Sequence, residues 1–77
     1  MHIKVALFST FRDLLPKEAH GRTTLELAEG CRLSDVLAAL DIHTIAICSL
    51  NGRMEYDLAT ALHEGDEVQL FRPVGGG

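Results

Sequence analysis

Apolar and polar residues alternate from the start of the chain. In 2–8, Ile3, Val5 and Leu7 share one face while His2, Lys4, Ala6 and Phe8 share the other, and this period of two predicts a half-buried strand. Residues 9–17 mix polar and apolar positions and end at Pro16, which predicts a loop with one helical turn around 11–15. His20-Gly21-Arg22 is a turn, and 23–28 read as a second strand with Leu25 and Leu27 inward. After the break at Glu29-Gly30, Leu33, Val36, Leu37 and Leu40 recur at i, i+3, i+4 and i+7, the stripe of a short amphipathic helix. Asp35 sits in its first turn, where a negative charge suits the helix dipole, but Cys31 and Arg32 are poor N-cap residues.

A third strand is predicted over 45–50, and Asn51-Gly52 is a strong hairpin signal leading into a short return over 53–56. Residues 57–63 read as an irregular connection and Glu64-Gly65-Asp66 as a tight turn. Alternation resumes in 67–72, with Val68 and Leu70 inward and Glu67, Gln69 and Phe71 outward, and Pro73 ends the ladder. The order β-β-α-β-β-β with a single helix implies an α+β domain whose sheet has one face open. Central pairing of the first and last strands would make them parallel, because the helix lies in the connection between them. Parallel strands finish on the same side of a sheet, so Phe8 and Phe71 are expected side by side on the helix-free face, next to the chain's last residues.

Composition narrows the function. Hydrophobic residues make up 47% of the 77 and charged residues 23%, as in a packed globule of one domain. The net charge is −4, with seven scattered Lys and Arg, which argues against nucleic-acid binding and against adsorption to an anionic membrane. No apolar run is long enough to span a bilayer, and the first residues lack a signal-peptide profile, so a cytoplasmic protein is expected. Cys31 and Cys48 form no CxxC, and His2, His20, His43 and His63 are far apart, so no metal site is expected.

The chain finishes Pro73-Val74-Gly75-Gly76-Gly77. Glycines bring no side chain to a core, so the expected organisation is a body over 1–74 and a flexible tail over 75–77. One reading of such a tail is a frayed end or a cloning remnant. The other is that the terminal carboxylate is the working group, on a thread slim enough to enter the channel of another enzyme.

The residues carry a family resemblance. LFRPVGGG is similar to the P-V-x-G-G ending of the small subunit of molybdopterin synthase, one of the ubiquitin-like β-grasp sulfur carriers of the MoaD/ThiS type. Leu62-His63-Glu64-Gly65-Asp66-Glu67-Val68 resembles that family's L-x-x-G-D-E-V segment, the stretch from Phe8 to Leu14 its F-x-x-x-R-E-L loop, and Leu50-Asn51-Gly52 its V-N-x hairpin. The resemblance spans essentially the whole chain. It implies a β-grasp fold, with a mixed sheet of about five strands. It implies that a ubiquitin-activating-type adenylyltransferase, using ATP and Mg²⁺, adenylates the Gly77 carboxylate, with Gly76 beside it. A persulfide donor then leaves a thiocarboxylate, whose sulfur passes to a molybdopterin precursor within the large subunit. The chain itself binds no cofactor in this scheme and acts as a cosubstrate. Phe8, Met54 and Phe71 correspond to apolar docking positions, with Arg72, Pro73, Val74 and Gly75 continuing the partner-binding stretch. Arg72 departs from the proline often found there, and is read either as pairing with an acidic partner rim or as solvated.

The alternatives are a carrier for thiamine or tRNA thiolation, a modifier conjugated to lysines, and a ubiquitin-like interaction module with an inert tail. Lys4 and Lys17 could accept a modifier, but nothing in the sequence singles them out. A cysteine enzyme built on Cys31 is a weaker reading, with a structural thiol preferred for Cys31 and a core position for Cys48. Asp66-Glu67 could look like an acid pair, but adjacent strand residues point to opposite faces, so paired carboxylate chemistry is not expected. His43 and His63 are expected to be solvated.

Overall fold

The computed structural model describes residues 1–73. The end of the body at 74 and the glycine tail 75–77 lie outside the described residues. Five strands and one α-helix are found among them: β1 (His2–Leu7), β2 (Arg22–Glu26), α1 (Leu33–Ala39), β3 (Ile47–Leu50), β4 (Arg53–Glu55) and β5 (Glu67–Phe71). The sheet order is β2-β1-β5-β3-β4. β1 pairs parallel with β5, with Val5 opposite Val68 and Leu7 opposite Leu70, and the other pairings are antiparallel. This is the β-grasp arrangement.

The core lies between α1 and one sheet face. Ile3, Val5 and Leu7 of β1 meet Val68 and Leu70 of β5, Cys48 of β3 and the helix stripe Leu33, Val36 and Leu37. Period two in the strands and a near-3.6 period in the helix thus aim their apolar positions into one space.

Three local features depart from the sequence reading or complete it. β2 begins at Arg22 and ends at Glu26 rather than running to 28; Leu27 still exchanges backbone bonds with Met1, its N–H donating to the Met1 carbonyl at 2.8 Å and its carbonyl accepting from the N-terminal ammonium at 2.6 Å. β3 begins at Ile47, not at 45. The register sets Ile47 opposite Phe71, so Ile45 would fall opposite Pro73, which has no N–H to give, and Ile45 is left 80% exposed. The weak N-cap of α1 is relieved from elsewhere. The Asp35 carboxylate accepts the Arg32 N–H at 2.7 Å. The Leu33 and Ser34 N–H groups donate to the carbonyls of Thr60 and Leu58, so the irregular connection satisfies donors that the helix start leaves open.

The loop after β1 winds into a short 3-10 segment, Ser9–Leu14, with Phe11 buried beneath it. Gly21 adopts φ +75°, and a Cβ there would sit 2.8 Å from the Leu7 carbonyl oxygen. Glycine therefore lets β2 start tight against the end of β1. Asn51 (φ +51°) and Gly52 (φ +86°) both take the left-handed conformation that a two-residue hairpin of this twist requires.

Candidate functional site

Parallel pairing of β1 and β5 brings the ends of both strands to one edge of the sheet. The Phe8 N–H donates to the Leu70 carbonyl at 3.0 Å, carrying the pairing one step past β1. The rings of Phe8 and Phe71 stack there, with centroids 4.6 Å apart and planes 10° from parallel. Both residues are half-buried. Alternation puts Phe71 opposite in sense to the core residues Val68 and Leu70, so the stack belongs to the face without the helix.

The same face continues across β3 and β4. Ile47 pairs with Phe71 and is 36% exposed. The next row runs from Ala6 through Gln69 and Ser49 to Met54, which is 49% exposed. The structure thus places Phe8, Met54 and Phe71 on one face and adds Ile47 between them. Ile47 shares the phase of Ile45 within the predicted strand 45–50, but its partnership with Phe71 depends on a register that the sequence does not display.

Beyond Phe71 the chain leaves the sheet. The Arg72 side chain turns back onto the body, with Nη1 donating to the Thr10 hydroxyl at 2.9 Å and the guanidinium carbon 5.4 Å from the centre of the Phe11 ring. Pro73 is half-buried. Val74, Gly75, Gly76 and Gly77 lie outside the described residues.

The remaining candidates are placed by their surroundings. Cys31 and Cys48 are buried and unpaired by disulfide. Burial pushes the Cys31 thiol above its ordinary value, with the Asp35 charge adding to it, and burial alone raises Cys48. Neither is poised as a thiolate nucleophile. His43 Nε2 lies 2.6 Å from the exposed Asp41 carboxylate, and the His63 ring is largely exposed. Asp66 accepts bonds from the His63 N–H and from Asn51 Nδ2, a turn lock rather than a partner for Glu67. Glu64 accepts the His2 N–H at 2.9 Å, which holds its carboxyl below the usual range. Among the described residues no three His, Cys, Asp or Glu side chains group as metal ligands, and no helix is long and apolar enough to cross a membrane. The site is an apolar face with a tethered chain exit, suited to being bound and to presenting the residues beyond Pro73.

This topology and this face define a ubiquitin-like β-grasp protein. The chain belongs to the ThiS family, which it matches over residues 5–77. No match was found among curated proteins. Among solved structures it is similar to a protein described as molybdopterin converting factor subunit 1 from Pyrococcus furiosus, at 26% identity and a TM-score of 0.76, covering 96% of this chain and 99% of that one. It shares the fold of small archaeal modifier protein 1 from Haloferax volcanii, at 22% identity and a TM-score of 0.76, with 95% and 98% covered. It also shares the fold seen in a complex of subunits 1 and 2 of the molybdopterin-converting factor from Helicobacter pylori, at 21% identity and a TM-score of 0.68, with both chains fully covered.

Proposed function

We propose that the protein is a sulfur carrier, the small subunit of a molybdopterin synthase. The observation that carries this reading is the stacked Phe8–Phe71 pair at the root of a chain that ends in three glycines and matches the ThiS family through its last residue.

In this reading a terminal carboxylate oxygen of Gly77 attacks the α-phosphorus of ATP in a ubiquitin-activating-type adenylyltransferase. Pyrophosphate leaves and an acyl-adenylate forms, with Mg²⁺ held by that enzyme. A persulfide then attacks the carbonyl carbon and expels AMP, giving an acyl disulfide. A thiol of the donor system cleaves the sulfur–sulfur bond, releasing the thiocarboxylate and a new disulfide. The carrier supplies the carboxylate, a thread without Cβ atoms at its end, and the apolar face that docks. It supplies no general base. The large synthase subunit is its second partner, as subunit 2 is for the Helicobacter pylori protein.

Intact-mass spectrometry tests this after incubation with an activating enzyme, ATP, Mg²⁺ and a persulfide donor. The expected result is one oxygen exchanged for sulfur in the full chain and no exchange after deletion of Gly77. An unchanged mass with an activator that modifies its own known carrier would end the proposal. The likeness to an archaeal modifier supports a second reading, conjugation to lysines, which the same experiment would reveal as a mass addition on another protein.

A further inference from the structure

We infer that Arg72 is a positioning residue that sets the direction in which the C-terminal segment leaves the body. The inference rests on the carrier reading for its purpose, but the tether itself is a property of the free protein. The β5 ladder ends at Phe71, whose strand partner is Ile47. Pro73, two residues on, has no N–H and cannot extend the pairing. Between them nothing in the sheet ladder fixes the chain, and the Arg72 side chain takes over that task. Its Nη1 donates to Thr10 Oγ1, and its guanidinium lies over Phe11, both on the 3-10 segment that comes after β1.

The anchor point is itself firm. Phe11 is 5% exposed, and its N–H donates to the Phe8 carbonyl at 3.2 Å, so the ring beneath the guanidinium is fixed relative to the Phe8–Phe71 stack. Planar guanidinium suits this role, because one group can stack on a ring and direct a hydrogen bond at once. Tying residue 72 to the 3-10 segment holds the root of the chain before a partner engages it, so less freedom is lost on binding. Because the tether acts before chemistry, its loss should appear in recognition and not in the rate of the bound complex.

Proline at 72 offers a discriminating substitution. Phe71 is already in an extended strand, the conformation that a proline at the next position requires. Arg72→Pro would stiffen the root through the backbone while removing the guanidinium. A positioning role predicts that Pro rescues what Ala loses; a direct ion pair with a partner predicts that it does not.

The experiment combines ¹⁵N relaxation of the free full-length chain with steady-state adenylation kinetics on Arg72→Ala, Thr10→Val and Arg72→Pro. Ala and Val are expected to increase fast motion of the amides after Pro73 and to raise the KM for the carrier about three- to ten-fold, with kcat held, while Pro restores both. Unchanged relaxation and KM in Arg72→Ala would overturn the inference. So would a raised KM in both Arg72→Ala and Arg72→Pro with Thr10→Val at wild-type level, which would make Arg72 a partner contact. Wild-type protein that no activator adenylates, with the relaxation change intact, would sink the carrier reading and leave the tether standing.

Discussion

Phe8 and Phe71, at the ends of the parallel strands β1 and β5, stack their rings at 4.6 Å, 10° from parallel. The pair ties the first and last strands at the point where the chain departs for its terminus. A double-mutant cycle of Phe8→Ala and Phe71→Ala should give a coupling of about 0.5–1.5 kcal/mol in urea unfolding. Phe71→Asp should weaken binding to an activating enzyme more than tenfold, at about 1.4 kcal/mol or more, while circular dichroism stays native. Wild-type affinity in that variant would remove this face from recognition.

Asn51 holds two roles at the β3–β4 hairpin. Its backbone takes φ +51°, and its amide bridges to β5, donating to Asp66 at 2.9 Å and accepting from the Glu67 N–H at 2.9 Å. Asn51→Ala loses both the tolerated conformation and the bridge, and should cost about 1–2 kcal/mol. Asn51→Gly keeps the conformation and should cost less. Chemical denaturation of the two variants checks the order, and an Ala variant as stable as the Gly variant would show that the backbone angle contributes nothing.

Leu33, the first residue of α1, is fully buried. Leu33→Ala should cost about 2–5 kcal/mol, a large share of what a domain of this size can muster. Leu33→Met, which conserves volume, should cost under about 1.5 kcal/mol. Urea midpoints of the two variants measure the difference.

Cys31 and Cys48 keep their protons in the folded protein more strongly than free thiols do, because both are buried. A folded value above the unfolded one means that stability is complete below the ordinary thiol pKa, about 8.5. As pH rises past that value the unfolded chain ionises first, so stability falls until the folded thiols titrate too. Iodoacetamide at neutral pH should label both residues slowly in the native protein and quickly in urea. Unfolding midpoints should drop above about pH 8.5. Fast native labelling of Cys31 would mean that its surroundings favour a thiolate.

The features that the sequence determined by itself are those written into neighbouring residues. Alternation in 2–8 and 67–72, the stripe Leu33, Val36, Leu37 and Leu40, and Asn51-Gly52 each encode a local period or a backbone angle, and each element formed as that chemistry demands. Their order then restricted the topology enough to anticipate Phe8 beside Phe71. Tertiary structure alone decided where β2 ends, where β3 begins and what meets across the sheet. Ile45 falls outside β3 because the register would set it against Pro73; the helix start is capped by carbonyls of Leu58 and Thr60; Ile47 meets Phe71; and Arg72 reaches Thr10 and Phe11. These are contacts between residues remote in the chain. Their geometry depends on how the strands slide into register around a common core, which no local pattern specifies.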